Sequence, residues 1–290
     1  MLASAVVTTL CGFVHASVSS IGSNGWGRLP VSRTPPSPRF YHVVEFDADE
    51  NRLVMWSGIE EDHSFVEDIF QYSFDTREYE QIPVLSHDNP LGRQSCASGL
   101  VDKQLFIWGG RTSRSLASDG WVFNLEQMRW DPWATSNAPS ARHRVSTTVF
   151  YDADDPVVAY LAVFGGDEFA LARGSDLHII PLSSDPAVAV WKELPQAGGF
   201  APDGRSTACL APMYHAAIPP PGGAVTDMTG WTGGPRTFLY LMGGLFTDND
   251  ASHTDVWRYD LSLGYWTEIT SAVEANSNVV DASGDPAIPQ

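Results

Sequence analysis

The chain has 290 residues, 43% hydrophobic and 11% aromatic, enough to bury the core of one large all-β domain or two ordinary ones and too apolar for a disordered chain. Seventeen Lys and Arg stand against 35 Asp and Glu, and a formal net charge of −18 argues against nucleic acid and anionic membrane surfaces as partners. Three cysteines, Cys11, Cys96 and Cys209, form no CxxC pair, which excludes a zinc knuckle and a thioredoxin-like site and leaves three thiols used as small hydrophobes.

Residues 1–25 admit two readings. Leu2 to Ala16 is largely apolar and Val14-His15-Ala16 resembles a cleavage site, as a secreted protein's signal peptide would show. No Lys or Arg precedes the run and the chain has no Asn-x-Ser/Thr acceptor, which leans toward the cytoplasm. A strand over Ala5 to Leu10, in a partial blade, explains the same residues. No other apolar run is long enough to span a membrane.

From residue 26 to 270 the sequence repeats, in units of roughly 34–85, 88–134, 138–195 and 201–270. Each unit opens with an arginine: Arg39, Arg93, Arg142, Arg205. Each continues with an apolar strand ending in a glycine pair: Leu53 to Gly58, with Ser57 in place of the first glycine, then Leu105 to Gly110, Leu161 to Gly166 and Leu239 to Gly244. An aspartate follows about ten positions on (Asp68, Asp119, Asp176, Asp255), with a further strand behind it. A large aromatic closes the unit: Tyr79, Trp130, Trp191, Trp266. Short alternating stretches between turn residues predict a four-stranded antiparallel sheet per unit. Glycine permits the sharp turn, and the closing ring has the area to fill the space between stacked sheets. One sheet cannot bury both faces, so the units must stack. Trp26-Gly27-Arg28-Leu29-Pro30 resembles Trp191-Lys192-Glu193-Leu194-Pro195, so the N-terminus is a candidate for part of a fifth blade. Ala211 to Gly234 reads as a surface insertion, and residues 271–290 as a low-complexity tail in which Asn278-Val279-Val280 could add a strand.

The glycine pairs, the spaced aromatics and the Pro38-Arg39 and Ala141-Arg142 openings resemble Kelch repeats over residues 26–270. The resemblance implies an all-β fold, a Kelch-type β-propeller with four clear four-stranded blades, either complete with the partial fifth or a fragment of a larger ring. WD-repeat propellers fit less well, since no Trp-Asp pair closes a strand at the equivalent place. The resemblance also implies a protein–protein interaction scaffold that presents loops to a partner protein or acidic peptide segment. The alternative is the propeller of a galactose-oxidase-like or other enzyme lacking its catalytic segment.

No residue stands out as catalytic, cofactor-binding or metal-ligating. Glu60-Glu61-Asp62-His63 with Glu67, directly after Gly58, and Asp248-Asn249-Asp250 with His253, in the equivalent loop of the fourth repeat, read as solvated acidic loops. The Glu-x-x-x-Asp-x-x-x-His spacing of Kelch-type iron proteins does not occur, and nothing links Cys96, Cys209, Tyr214 and His215 into a copper site. There is no Gly-x-Ser-x-Gly elbow and no phosphate-binding glycine loop.

In an antiparallel blade the loop joining two blades lies on the same face as the loop after the glycine pair. The opening arginines then stand near the mouth of the channel. Arg39, Arg93, Arg142, Arg144 and Arg205 are the candidate partner-binding residues, forming a positive inner rim. Arg142 and Arg144, two apart, are expected on the same side of one strand, with Arg144 exposed. The competing role for Arg39, Arg93, Arg142 and Arg205 is packing, through bonds to backbone carbonyls of the neighbouring blade.

Overall fold

A computed structural model describes residues 35–152, 157–169, 172–185, 187–196, 200–215, 236–245 and 252–270. The N-terminal segment with Trp26, the tail from 271 and Asp248-Asn249-Asp250 lie outside the described residues.

The described residues form four four-stranded antiparallel blades, as expected of an all-β propeller. Blade one holds β1 (Val43–Asp47), β2 (Arg52–Trp56), β3 (Ile69–Ser73) and β4 (Glu78–Ile82). A two-stranded element then pairs β5 (Arg93–Gln94) with β8 (Arg111–Thr112). Blade two holds β6 (Ala97–Val101), β7 (Gln104–Trp108), β9 (Gly120–Asn124) and β10 (Arg129–Trp133). Pro132 is tolerated because β10 is an edge strand. Blade three holds β11 (Ser146–Tyr151), β12 (Ala159–Phe164), β13 (Leu177–Pro181) and β14 (Lys192–Glu193). Blade four holds β15 (Cys209–His215), β16 (Arg236–Met242), β17 (Val256–Asp260) and β18 (Tyr265–Glu268). Ala211 to His215 thus belong to a strand, in register with Tyr240 to Arg236, so the expected insertion begins later than Ala211. Its remainder lies outside the described residues.

The blades stack by one recurring contact. In blades two, three and four the closing aromatic packs on the residue before the glycine pair of the preceding blade, Ser57-Gly58 standing for the pair in blade one. Trp130 meets Trp56 at 5.1 Å between ring centroids, Trp191 meets Trp108 at 5.0 Å, and Trp266 meets Phe164 at 5.5 Å. All six rings are buried, and three hydrophobic clusters fill the three seams. Tilted and edge-to-face rings at these distances add to the area term. Met242 holds the equivalent place in blade four and is 53% exposed, and among the described residues no closing aromatic covers it.

Backbone bonds run through the same seams. The second glycine of each pair donates to the carbonyl of the next opening arginine: Gly58 to Arg93 at 3.2 Å, Gly110 to Arg142 at 2.8 Å, Gly166 to Arg205 at 2.9 Å. These glycines have φ near +100°, and a Cβ on Gly110 would stand 2.7 Å from Cys96 Cβ. Ser57, in place of the first glycine, accepts a left-handed φ of 60° and uses its hydroxyl to receive the Arg93 amide at 2.8 Å.

A buried acid with no cation partner among the described residues interrupts the first seam. Glu45 on β1 faces blade two and accepts a bond from Ser98 Oγ at 2.6 Å. Burial pushes its carboxyl up to about 7, against a smaller downward pull from the Ser98 bond.

Candidate binding surface at the mouth of the blades

The opening arginine of each blade and the aspartate before its third strand form a clamp. Arg93 Nη1 and Nη2 donate to Asp119 at 3.0 and 3.2 Å. Arg142 reaches Asp176 at 2.6 and 2.9 Å, and Arg205 reaches Asp255 at 2.5 and 2.8 Å. Arg39 pairs with Asp68 in the same two-pronged way. Nη1 also donates to the carbonyl that begins the glycine turn: Ser57, Gly109, Gly165 or Gly243. Each clamp therefore ties a blade's entry, its glycine turn and its third strand together. Bidentate pairing of this kind is what arginine's planar fork allows and lysine's point charge does not.

These four guanidinium groups are buried. Their carbonyl partners belong to their own blade rather than to the neighbouring one, which corrects the packing role expected from sequence. A second donor completes three of the clamps. Trp121 Nε1 and Trp257 Nε1 donate to Asp119 and Asp255 at 2.6 Å, and His178 Nε2 does so to Asp176 at 2.8 Å. Burial alone would raise these aspartates. The hydrogen bonds and charge of the arginine and its companion outweigh it and hold all three below the usual carboxylate range.

Arg144 stands apart. Its φ is 54°, so side-chain alternation fails there, and it does not share a side with the buried Arg142 as expected. Its side chain is 34% exposed, 3.3 Å from Asp167, with its guanidinium carbon 5.9 Å from the centre of the Tyr41 ring. Asp167 is also bonded by Arg173 Nε at 3.0 Å.

The residue two after each opening arginine is left-handed in every blade: Tyr41 (φ 59°), Ser95 (52°), Arg144 (54°) and Thr207 (56°). Their main chains are linked across the seams. Ser95 N–H donates to Tyr41 C=O at 3.0 Å, Arg144 to Ser95 at 3.0 Å, and Thr207 to Arg144 at 2.8 Å. Among the described residues no such bond returns from Thr207 to Tyr41. The four side chains are at least partly exposed, Tyr41 at 47%, and mark a row along the mouth.

Sequence reasoning missed Arg111. It follows Gly110 directly, is exposed, and pairs in β8 with Gln94, the chain neighbour of Ser95. Arg111 and Arg144 both lie close enough to His143 to depress its ionisation, after burial as the main cause and against the pull of Asp167. Arg111 and Arg114 form no ion pair among the described residues. In blade one the corresponding loop is acidic, with Glu61, Asp62 and His63 exposed. Among the described residues no group of three or more His, Cys, Asp or Glu is placed to hold a metal. No helix there is long and apolar enough to cross a membrane.

A family model, the KLHDC2/KLHL20/DRC7 Kelch-repeats domain, matches residues 15–223. Among curated proteins the chain is similar to Kelch domain-containing protein 10 of Xenopus laevis, 26% identical over 116 residues, or 38% of this chain and 28% of that protein. It is similar to acyl-CoA-binding domain-containing protein 4 of Arabidopsis thaliana, 26% identical over 138 residues, 47% of this chain and 20% of that one. Over 300 aligned positions it is 21% identical to the leucine-zipper-like transcriptional regulator 1 homolog of Drosophila melanogaster, covering 83% of this chain and 28% of that protein. The chain spans less than a third of the length of each of these relatives.

Proposed function

Because the chain belongs to the Kelch-repeat family, we propose that it serves as a protein-interaction scaffold whose mouth face receives an acidic segment of a partner protein. Arg144 is the anchor, with Arg111 beside it. The observation that carries this is the division of labour among the arginines. Arg39, Arg93, Arg142 and Arg205 are buried on an aspartate of their own blade, whereas Arg111 is exposed without an ion pair among the described residues and Arg144, although paired with Asp167, keeps 34% of its side chain exposed in a chain of net charge −18. A local positive patch in an acidic molecule steers an anionic segment and gives it bidentate partners, while the Glu61 and Asp62 loop discourages binding elsewhere. The Tyr41 ring under Arg144 holds the guanidinium in place.

The test is a pull-down with native protein, followed by affinity measurement with the partner so found. Arg144→Ala and Arg111→Ala should each weaken binding and flatten its salt dependence, with the melting temperature nearly unchanged. Arg39→Ala and Arg205→Ala are poor probes because they break clamps. Undiminished binding by the Arg111→Ala/Arg144→Ala double variant at physiological salt sinks the proposal.

A further inference from the structure

The first and last blades each present a sheet face built like the inside of a seam but less covered. On blade one the strand register sets Phe46, Leu53, Tyr72 and Tyr79 in one line, with Val44, Met55 and Phe70 beside it. Blade four lines up Leu239, Tyr259 and Trp266 in the same way, on the face turned toward blade three. Leu239 and Leu241 are fully buried there, like Leu105 and Ile107 in blade two and Leu161 and Val163 in blade three. Their equivalents in blade one, Leu53 and Met55, are only half-buried, and Val44 is exposed. At the other end Met242 is exposed, where Trp56, Trp108 and Phe164 each lie under a closing aromatic.

One polar atom says which kind of segment fits. Tyr72 and Tyr259 hold the same place, each four residues after its clamp aspartate and each against its own closing ring, 4.8 Å from Tyr79 and 5.1 Å from Trp266. Tyr259 donates its hydroxyl to the Pro195 carbonyl of blade three at 2.7 Å. Pro195 ends the run Trp191-Lys192-Glu193-Leu194-Pro195, in which Trp191 packs on blade two and Leu194 joins the cluster shared with blade four. One short run thus serves two seams. Tyr72 is buried, and its hydroxyl has no hydrogen-bond partner among the described residues. A buried hydroxyl left unpaired is costly. The sequence holds a second run of the same form. Trp26-Gly27-Arg28-Leu29-Pro30 keeps the aromatic, the leucine and the proline in place, and Pro30 stands nine residues before Arg39 as Pro195 stands ten before Arg205.

We propose that residues 26–30 cover both end faces at once and close the row of blades. Trp26 seats on Met242 of blade four, a ring on a thioether. Leu29 packs on Leu53 and Met55 of blade one, and the Pro30 carbonyl accepts from the Tyr72 hydroxyl. The two apolar end faces are then internal, and neither is left for a partner or a second copy. This inference does not rest on the acidic-segment reading.

The test is photo-cross-linking in the full chain. p-Benzoylphenylalanine in place of Trp26 keeps a large ring there, and in place of Leu29 it reports on the other face. After irradiation and digestion, the probe at position 26 should be attached to Met242 or its neighbours on β16. The probe at position 29 should be attached to Leu53 or Met55 on β2, and both links should lie within single chains. Peroxide oxidation of Met242 gives an independent reading. It should be several-fold slower in native wild type than in urea-unfolded protein, faster in folded Trp26→Ala protein, and slow again in Trp26→Phe. A link to a second chain, links elsewhere in the same chain, or no link in folded protein overturns the proposal. So does Met242 oxidising in native wild type as fast as in unfolded protein, or at an unchanged rate in folded Trp26→Ala protein.

Discussion

Replacing Glu45 with glutamine should stabilise the protein at alkaline pH and leave it unchanged in acid. The carboxyl is fully buried in the first seam, and its folded-state value of about 7 compares with an ordinary 4.5. The folded state therefore holds this proton more tightly than the unfolded chain. Stability from this group is complete below about 4.5, declines as pH rises through the window to 7, and is flat above it. A shift of that size corresponds to about 3 kcal/mol lost between the two limits, at 1.36 kcal/mol per unit. Glutamine has the same shape, still accepts from Ser98 Oγ, and carries no charge to desolvate. The Cys96 thiol, close enough to feel the Glu45 charge, is kept protonated throughout this range by burial. Urea unfolding of both proteins at half-unit steps from pH 4.5 to 8.5 checks this, with m-values compared to exclude changes in the unfolded state. The stability difference should open from near zero to about 3 kcal/mol in favour of the glutamine protein. A difference independent of pH, or one that favours the wild type at pH 8, would refute the placement of Glu45 as an uncompensated buried carboxyl.

Trp191→Ala should cost about 3–5 kcal/mol in denaturant melts, because it removes a buried ring seated on Trp108; a loss below about 1 kcal/mol would contradict the seam contact. Arg205→Ala should cost about 3–5 kcal/mol by stranding Asp255, and a double-mutant cycle with Asp255→Asn should show coupling well above that of an exposed pair. Cys96, whose thiol burial raises to about 12, should react with a thiol reagent in native protein at pH 8 only at the rate of local opening; labelling as fast as that of an unfolded control would exclude its buried position.

The blades were legible because their signals recur at fixed steps along the chain: the glycine pair, the aspartate, the closing ring. The pairing of Arg with Asp was not, although both residues were in view. The two lie 29 residues apart in blade one and 50 in blade four, because loop length varies while strand register does not. Constancy in space was hidden by inconstancy in sequence. Arg144 was singled out for exposure, and its side chain is 34% accessible, but the reasoning from strand alternation failed at a left-handed residue. Nothing in Tyr, Ser, Arg and Thr betrays a shared conformation, since none of them is a residue that favours positive φ. Arg111 has no counterpart in the other repeats and so left no periodic signal. His178 was readable in principle. Aligning the units on their aspartates places it among Phe70, Trp121 and Trp257, where a lone imidazole among large rings marks the blade that differs.

The row of left-handed residues at the mouth joins neighbouring blades through amide and carbonyl groups alone. Those bonds are indifferent to what each residue carries on its Cβ. The scaffold thus sets aside one writable position per blade, in a fixed order around the opening, at which the recognition surface can be recomposed without disturbing the clamps or the stacked rings. Grafting new specificity onto this molecule is then a matter of choosing four letters, Tyr41, Ser95, Arg144 and Thr207 being the present spelling, from residues that tolerate a positive φ.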